Sequence, residues 1–447
     1  MNLSINKLNL AKAFFFLFLF SLFFPIRYVI PTKSAYLIGV YSDFTSVSLY
    51  LSDIFLIITW FFCFLPRGIS EFWSIVKGQL SIVIFLIWLI LDLIWHLQDK
   101  SSLNLWYSLK YAEFIVTYGT FSYLFSKTSI KSTFLNFFAF FATFESLLAL
   151  WQFKTQKSLG LYKFGEEHLS RAITGVAKIV SSGTTYIRGY GTFPHSNVLS
   201  AFLTTGLLIC LYLLINAKNW RLKGLYGLAI AITTFGLTVS FSRAGYLSYG
   251  LGLIIFFGGI LYTQPVKKLS ALPKTAWVAA GVCLASILLA LMVFRPFLLT
   301  RANVTDDSSL QRIFYAKISL KIMIQHPIFG LGIGESILHM QQYSSIKLWY
   351  WQIQPIHNYF LLAGAELGIP GMLILIWIFL SHLISLLKQK LTTYYLLLTT
   401  ILISILILMQ FDHYFYTLQQ TQLLLWMVLA IISSEIKNPS AEGLAKS

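Results

Sequence analysis

Apolar stretches of about twenty residues, long enough to cross a bilayer as a helix, recur along this chain about twelve times. They centre near Phe18, Ile57, Ile87, Val116, Phe141, Gly206, Ala231, Leu253, Ala285, Ile374, Leu402 and Leu425. The expected fold is therefore all-α: a polytopic integral membrane protein of about 12 transmembrane helices. Charged residues make up only 11% of the 447 residues and hydrophobic ones 57%, where a soluble protein carries about 25% charge. A net charge of +17 could point to nucleic acid. The basic residues lie mostly in short loops between spans, however, where orientation and lipid headgroups account for them.

The first apolar run, about Ala13 to Phe24, follows Lys7 and Lys12 like the core of a signal peptide. It lacks a small-residue cleavage site and many spans follow it, so it reads as a retained first helix. Cys63, Cys210 and Cys283 fall inside apolar spans, with no disulfide or zinc spacing. No internal repeat is visible.

Lys and Arg set the orientation. Arg67 and Lys77; Lys127 and Lys131; Lys218, Arg221 and Lys223; Lys267, Lys268 and Lys274; and Lys388 and Lys390 occupy alternate short loops. Those loops are expected in the cytoplasm with both termini. The expected organisation is five spans in 1–153, an external loop at 154–196, and spans six to nine in 197–294. A large external loop with an amphipathic helix follows at 295–356, then the last three spans in 357–434 and a cytoplasmic tail at 435–447.

On this topology Arg188, His195, Arg243, Arg312, His357, Asp412 and His413 share the external face. Asp53, Asp92, Lys110, Glu113, Glu145 and Glu366 fall nearer the outer ends of their spans. Charges within a span are costly and face a cavity or one another. Their clustering suggests a polar pocket opening outward, although Asp53 and Asp92 also read simply as interface residues.

Asp306 and Asp307 precede a run in which Leu310, Ile313, Phe314, Ile318 and Ile322 recur at helical spacing. This predicts a capped amphipathic helix on the membrane, ended by Pro327 and the GLGIG run. Arg312, in its first turn, either snorkels or grips a phosphate with its planar fork. Gly330 to Glu335 reads as a turn or a close helix approach, because no strand precedes it and no Gly-Lys-Ser/Thr follows. His357, after Pro355, is either a boundary histidine or a base suited to neutral pH. Arg243, between two spans with almost no loop, is either a tolerated turn residue or an anion anchor. The histidines are scattered, with no HExxH-type spacing, and no metal cluster or cofactor is expected.

Several ordered pieces together resemble the O-antigen ligase and polymerase superfamily, bacterial membrane glycosyltransferases of GT-C type. They are GTFPHSN at 191–197, SRAG at 242–245, SLQRIFYAKISLKIMIQHPIFGLGIG at 309–334, HNYFLLAGAELGIPG at 357–371 and FDHYFYTLQQ at 411–420. The best coverage runs from about Gly189 to Met427. The resemblance implies about 12 spans, cytoplasmic termini and a large external loop before a late span. It also implies transfer of a glycan from an undecaprenyl diphosphate carrier to an acceptor hydroxyl, on the outer face of the bacterial cytoplasmic (inner) membrane, without metal or nucleotide. The family's arginine pair and loop histidine fall on Arg243, Arg312 and His357, the expected catalytic residues. Arg188, His195, Asn358, Asp412, His413 and Lys110 are expected to bind substrate. FPHSN departs from the more usual Phe-Gly-His/Asn-Pro-Asn form, which weakens the assignment of His195.

The chemistry suits these residue types: guanidiniums stabilise a departing diphosphate, and a neutral imidazole accepts the acceptor's hydroxyl proton. Direct displacement would invert the anomeric carbon. A polysaccharide polymerase of the same superfamily is the nearest rival: sequence does not separate it from a lipopolysaccharide-type ligase, and only the products do, since a ligase needs a second acceptor. A secondary transporter for an anion such as bicarbonate is the rival from another class. Against it, the sequence shows no inverted repeat and no clearly broken helix pair. The glycan, the acceptor and the oligomeric state are left open.

Overall fold

The computed structural model describes residues 2–65, 68–99, 101–263, 272–301 and 307–437. Arg67, Lys267, Lys268, Asp306 and the tail beyond residue 437 lie outside the described residues. The helices are α1 (Asn2–Phe23), α2 (Leu51–Phe64), α3 (Ile69–Lys77), α4 (Leu80–Trp95), α5 (Ser102–Lys127), α6 (Lys131–Thr155), α7 (Ser196–Asn216) and α8 (Trp220–Val239). They continue as α9 (Arg243–Tyr262), α10 (Lys274–Arg301), α11 (Asp307–Gln325), α12 (Ser336–Tyr343), α13 (Tyr359–Leu387), α14 (Thr393–Met409), α15 (Tyr414–Thr417) and α16 (Gln419–Lys437).

The protein is a helical membrane protein. Among the described residues six helices, α6 to α10 and α13, are long and apolar enough to cross a bilayer, or up to seven if the bent pair α2 and α3 is one span. Each of the twelve apolar centres read from the sequence falls inside a helix, but α2, α4 and α14 have only 14, 16 and 17 residues. The all-α expectation also misses three small antiparallel hairpins. In the α1–α2 connection β1 (Arg27–Ile30) pairs with β4 (Val47–Tyr50), and β2 (Tyr36–Leu37) with β3 (Val40–Tyr41). In the α6–α7 connection β5 (Lys178–Ser181) pairs with β6 (Thr184–Ile187). The loop expected from residue 295 begins later, because α10 continues through Pro296 to Arg301. α7 is the most enclosed of the long helices, packed by α6, α8, α9 and α14.

α13 shows how one motif shapes the chain. Its φ at Gly368 is 73°, and Pro370 follows. A proline cannot donate to the carbonyl four residues back, so the Glu366 carbonyl loses its helical partner. The loop after α11 supplies another: Gly332 N–H donates to that carbonyl at 3.0 Å and Leu331 N–H to the Ala365 carbonyl at 3.0 Å. Ile369 N–H turns back to the Pro327 carbonyl at 2.9 Å, and Trp88 Nε1 donates to the Leu367 carbonyl at 3.1 Å. A Cβ on Gly368 would lie 1.8 Å from the Ile328 carbonyl oxygen. HPIFGLGIG and AELGIPG are thus two halves of one joint. The expected turn at the glycine run is present, and α13 is a single helix kinked where that turn meets it.

The acidic residues within helices also depart from expectation. Rather than lining one pocket, most anchor connections. Glu366 accepts from Gly334 N–H at 2.8 Å and from Ser336 Oγ at 2.6 Å. Glu145 accepts from Thr192 N–H at 2.8 Å. Asp53 and Glu113 enclose Lys110, with Nζ contacts of 2.6 and 2.8 Å. Asp92 lies beside His96. A carboxylate out of water needs donors or a countercharge; loop residues supply donors to Glu366 and Glu145, and Lys110 supplies the charge for Asp53 and Glu113.

Candidate functional site

Four connections converge at one end of the bundle: the entry to α7, the α8–α9 turn, the entry to α13 and the α14–α15 link. Each is fixed by local structure. The loop before α7 is clamped by Gln152 of α6, whose Oε1 accepts from Tyr190 N–H at 3.0 Å and Gly191 N–H at 2.8 Å. Between α8 and α9, Phe241 takes a left-handed φ of 47°. This sharp turn leaves Ser242 as the cap of α9, its Oγ accepting from Gly245 N–H at 3.2 Å, with Arg243 next. Asn358 caps α13, its Oδ1 accepting from Leu361 N–H at 2.9 Å. Its amide donates to the Gln410 carbonyl at 2.9 Å, fastening the entry of α13 to the exit of α14.

Arg188 is buried here. Its Nε donates to the Ser240 carbonyl at 2.6 Å and its Nη2 to Asn197 Oδ1 at 2.7 Å. Asn197 Nδ2 passes the link to Asp412 Oδ2 at 2.7 Å. Asp412 Oδ1 accepts from His413 N–H at 2.9 Å and lies 3.7 Å from His413 Nε2. The His357 and His413 rings sit edge to face, 5.0 Å apart. On its other side His357 stacks against Tyr315 of α11 at 5.3 Å. Arg312 Nε donates to the Phe411 carbonyl at 2.9 Å, which places the guanidinium beside Asp412. Arg243 reaches α11 as well, donating to Ser309 Oγ at 3.3 Å.

Hydrogen-bond partners distinguish the two key imidazoles. His357 Nδ1 lies 2.8 Å from the Pro355 carbonyl, which can only accept. Nδ1 therefore carries the proton, and the Nε2 of a neutral His357 presents a lone pair. His195 is the reverse. The Asn197 N–H donates to its Nδ1 at 3.1 Å, so its Nε2 carries the proton and is a donor.

Electrostatics keep the rings neutral. Burial, then the Arg188 charge, bring His195 down to about 4. Burial brings His413 down to about 3, against the pull of Asp412. Burial lowers His357 as well, with Asp412 opposing and Arg312 adding to the shift. Burial alone would raise Asp412, but His413, His357, His195 and Arg312 outweigh it and hold the carboxyl at about 2. Burial, then Arg301, lower Arg188 to about 10, which leaves it cationic at neutral pH. The site thus presents a neutral base, a neutral imidazole donor and a fixed carboxylate among guanidiniums.

Of the residues singled out in the sequence, Arg188, His195, Arg312, His357, Asn358, Asp412 and His413 come together here. Arg243 joins them through α11. Lys110 does not; it is enclosed by Asp53 and Glu113, and it lies over the ring of Trp106 at 5.0 Å. Asn197 and Tyr315 were missed as individual site residues, although both stand inside quoted motifs, FPHSN and SLQRIFYAK. His357, Asp412 and His413, which no metal-ligand spacing in the sequence groups together, bring possible ligand atoms within 4.8 Å of one another. Residues far apart in sequence, 357 and 412–413, supply the set, so no spacing motif signals it.

Residues 228–376 match the family model described as O-Antigen ligase. That third of the chain holds Arg243, Arg312, His357 and the α11–α13 joint. No curated protein matches the chain.

Proposed function

We propose, on the premise that residues 228–376 belong to the O-antigen ligase and polymerase superfamily, that this membrane protein transfers a lipid-linked glycan to an acceptor hydroxyl. The donor is an undecaprenyl-diphosphate-linked glycan, and the site faces outward from the bacterial cytoplasmic membrane. The topology proposed with it has twelve spans and cytoplasmic termini. The observation that carries the reading is His357: a half-buried imidazole whose Nδ1 is occupied by a carbonyl and whose Nε2 is left to take a proton.

His357 Nε2 accepts the proton of the acceptor hydroxyl while that oxygen attacks the anomeric carbon. The bond from that carbon to the diphosphate oxygen breaks, and the electron pair leaves with the lipid diphosphate. Attack opposite the leaving group inverts the carbon. Arg312 and Arg243 bind the diphosphate through two-pronged charge-assisted hydrogen bonds and stabilise the charge that grows on it. Asp412 compensates the local positive charge and holds His413 against His357. The guanidiniums supply the electrostatic work, so the mechanism calls on no metal.

Purified protein in nanodiscs, given the host's lipid-linked glycan and EDTA, tests this. Transfer is expected from the wild type and collapses in His357→Ala and Arg243→Ala. Full transfer by His357→Ala would remove the base assignment. Longer lipid-linked products without a second acceptor would identify a polymerase. No turnover with a verified donor and a range of acceptors would instead favour anion flux, to be measured in liposomes.

A further inference from the structure

We infer that His357, Asp412 and His413 form a binding site for a zinc-like divalent transition-metal ion, and that its occupation shuts off transfer. The three side chains come from two connections that the fold presses together, and their ligand atoms lie within 4.8 Å of one another. Around a tetrahedral ion with bonds of about 2.0–2.1 Å, neighbouring ligand atoms sit roughly 3.3 Å apart. His413 Nε2 and Asp412 Oδ1 are already at 3.7 Å.

The surroundings resemble those of built metal sites. A ligating histidine usually has its other ring nitrogen hydrogen-bonded, which fixes its orientation. Here His357 Nδ1 is held by the Pro355 carbonyl at 2.8 Å and His413 Nδ1 by Thr417 Oγ1 at 2.7 Å. That leaves the two Nε2 atoms as the nitrogens available to an ion. Asp412 is held by Asn197 at 2.7 Å, and Asn197 by Arg188. Two imidazoles and one carboxylate suit zinc, copper or nickel; calcium and magnesium prefer all-oxygen sets. Three protein ligands leave a fourth position open.

Binding consumes the lone pair on His357 Nε2. The predicted inhibition rests on the base assignment proposed above; the binding does not. The ion would be an external inhibitor, and transfer would run in its absence.

The test uses the full chain in detergent, without donor. Calorimetric titration with ZnCl2 should show one saturable ion per chain. CoCl2 should give the visible d–d bands of a four-coordinate site, displaced by ZnCl2. His413→Gln and Asp412→Asn, each checked for a wild-type melting profile, should weaken zinc by at least about 10- to 100-fold, the scale lost even when only a supporting partner of a ligand is removed. In the transfer assay one equivalent of Zn2+ should reduce turnover at least tenfold, with recovery on adding EDTA. No saturable zinc binding by the folded wild type, or unchanged binding in both variants, would overturn the site. Zinc binding with unimpaired transfer would overturn the inhibition. Zinc binding by a chain that transfers no glycan would leave the site standing and remove the proposed function instead.

Discussion

At the scale of single residues, the site is governed by what each nitrogen has been given to do. His357→Gln keeps a polar side chain but removes the basic lone pair. Transfer should fall by about 10²- to 10⁴-fold, the usual worth of a positioned base, with little change in donor affinity; steady-state kinetics at saturating donor checks this. Arg312→Lys keeps the charge but loses the fork, and is not a conservative change at a two-pronged contact. It should reduce turnover by about 10²-fold, near the cost of removing one transition-state donor. The pH profile follows from the direction in which His357 is shifted. Burial lowers it, so the base stays neutral through neutral pH, and the acid limb of kcat/KM should lie below the ordinary histidine value of 6.5. Asp412 favours the protonated ring, so Asp412→Asn should move that limb further to acid, whereas a shift toward neutral pH would contradict the charge arrangement described above.

At the scale of elements, α13 and the loop before it stand or fall together. Gly368→Ala forces a side chain onto the Ile328 carbonyl and strains a left-handed residue. Strain of that kind costs on the order of 1–3 kcal/mol before any clash is counted. Thermal unfolding in detergent should show a clear loss of stability, while Gly258→Ala, where a Cβ meets open space, should be nearly neutral. Elements were also where sequence was most legible. Apolar length found the long apolar helices, and the residues that end α11, Pro327 and the glycine run, were in plain view. Which face of α11 packs was not. The stripe read from the sequence included Ile318 and Ile322, which are buried with Tyr315 and Ser319 where α13 packs alongside, but also Leu310 and Ile313, which are 58% and 56% exposed. Periodicity reports apolarity, and in a membrane protein an apolar side chain is at home in lipid as well as in a core. The site was legible as a set of residue types, but not as a network. Asn197 matters because it joins Arg188 to Asp412, reaching the latter across 215 positions of chain, a pairing made only by the fold.

At the scale of the whole molecule, the proposed orientation is open to a direct check. Cys63, Cys210 and Cys283 are all buried, so added cysteines should report with little background. An impermeant thiol reagent on intact cells, with the outer barrier permeabilised where one is present, should label Gln342→Cys in the large loop and leave Lys390→Cys unlabelled until the cytoplasmic membrane is broken. The opposite pattern would invert the topology and move the His357 site to the cytoplasm.

The joint between α13 and the glycine loop also sets a rule for building chimeras. The carbonyls of Ala365, Glu366 and Leu367 are silenced by donors from Leu331, Gly332 and Trp88. A loop exchanged between relatives as a cassette ending at residue 356 would carry two of those donors away from their acceptors. Bare carbonyls inside a bilayer cost several kcal/mol each. The large loop is therefore transplantable only in blocks that carry 327 through 371 as one unit, and Trp88 must be retained with them.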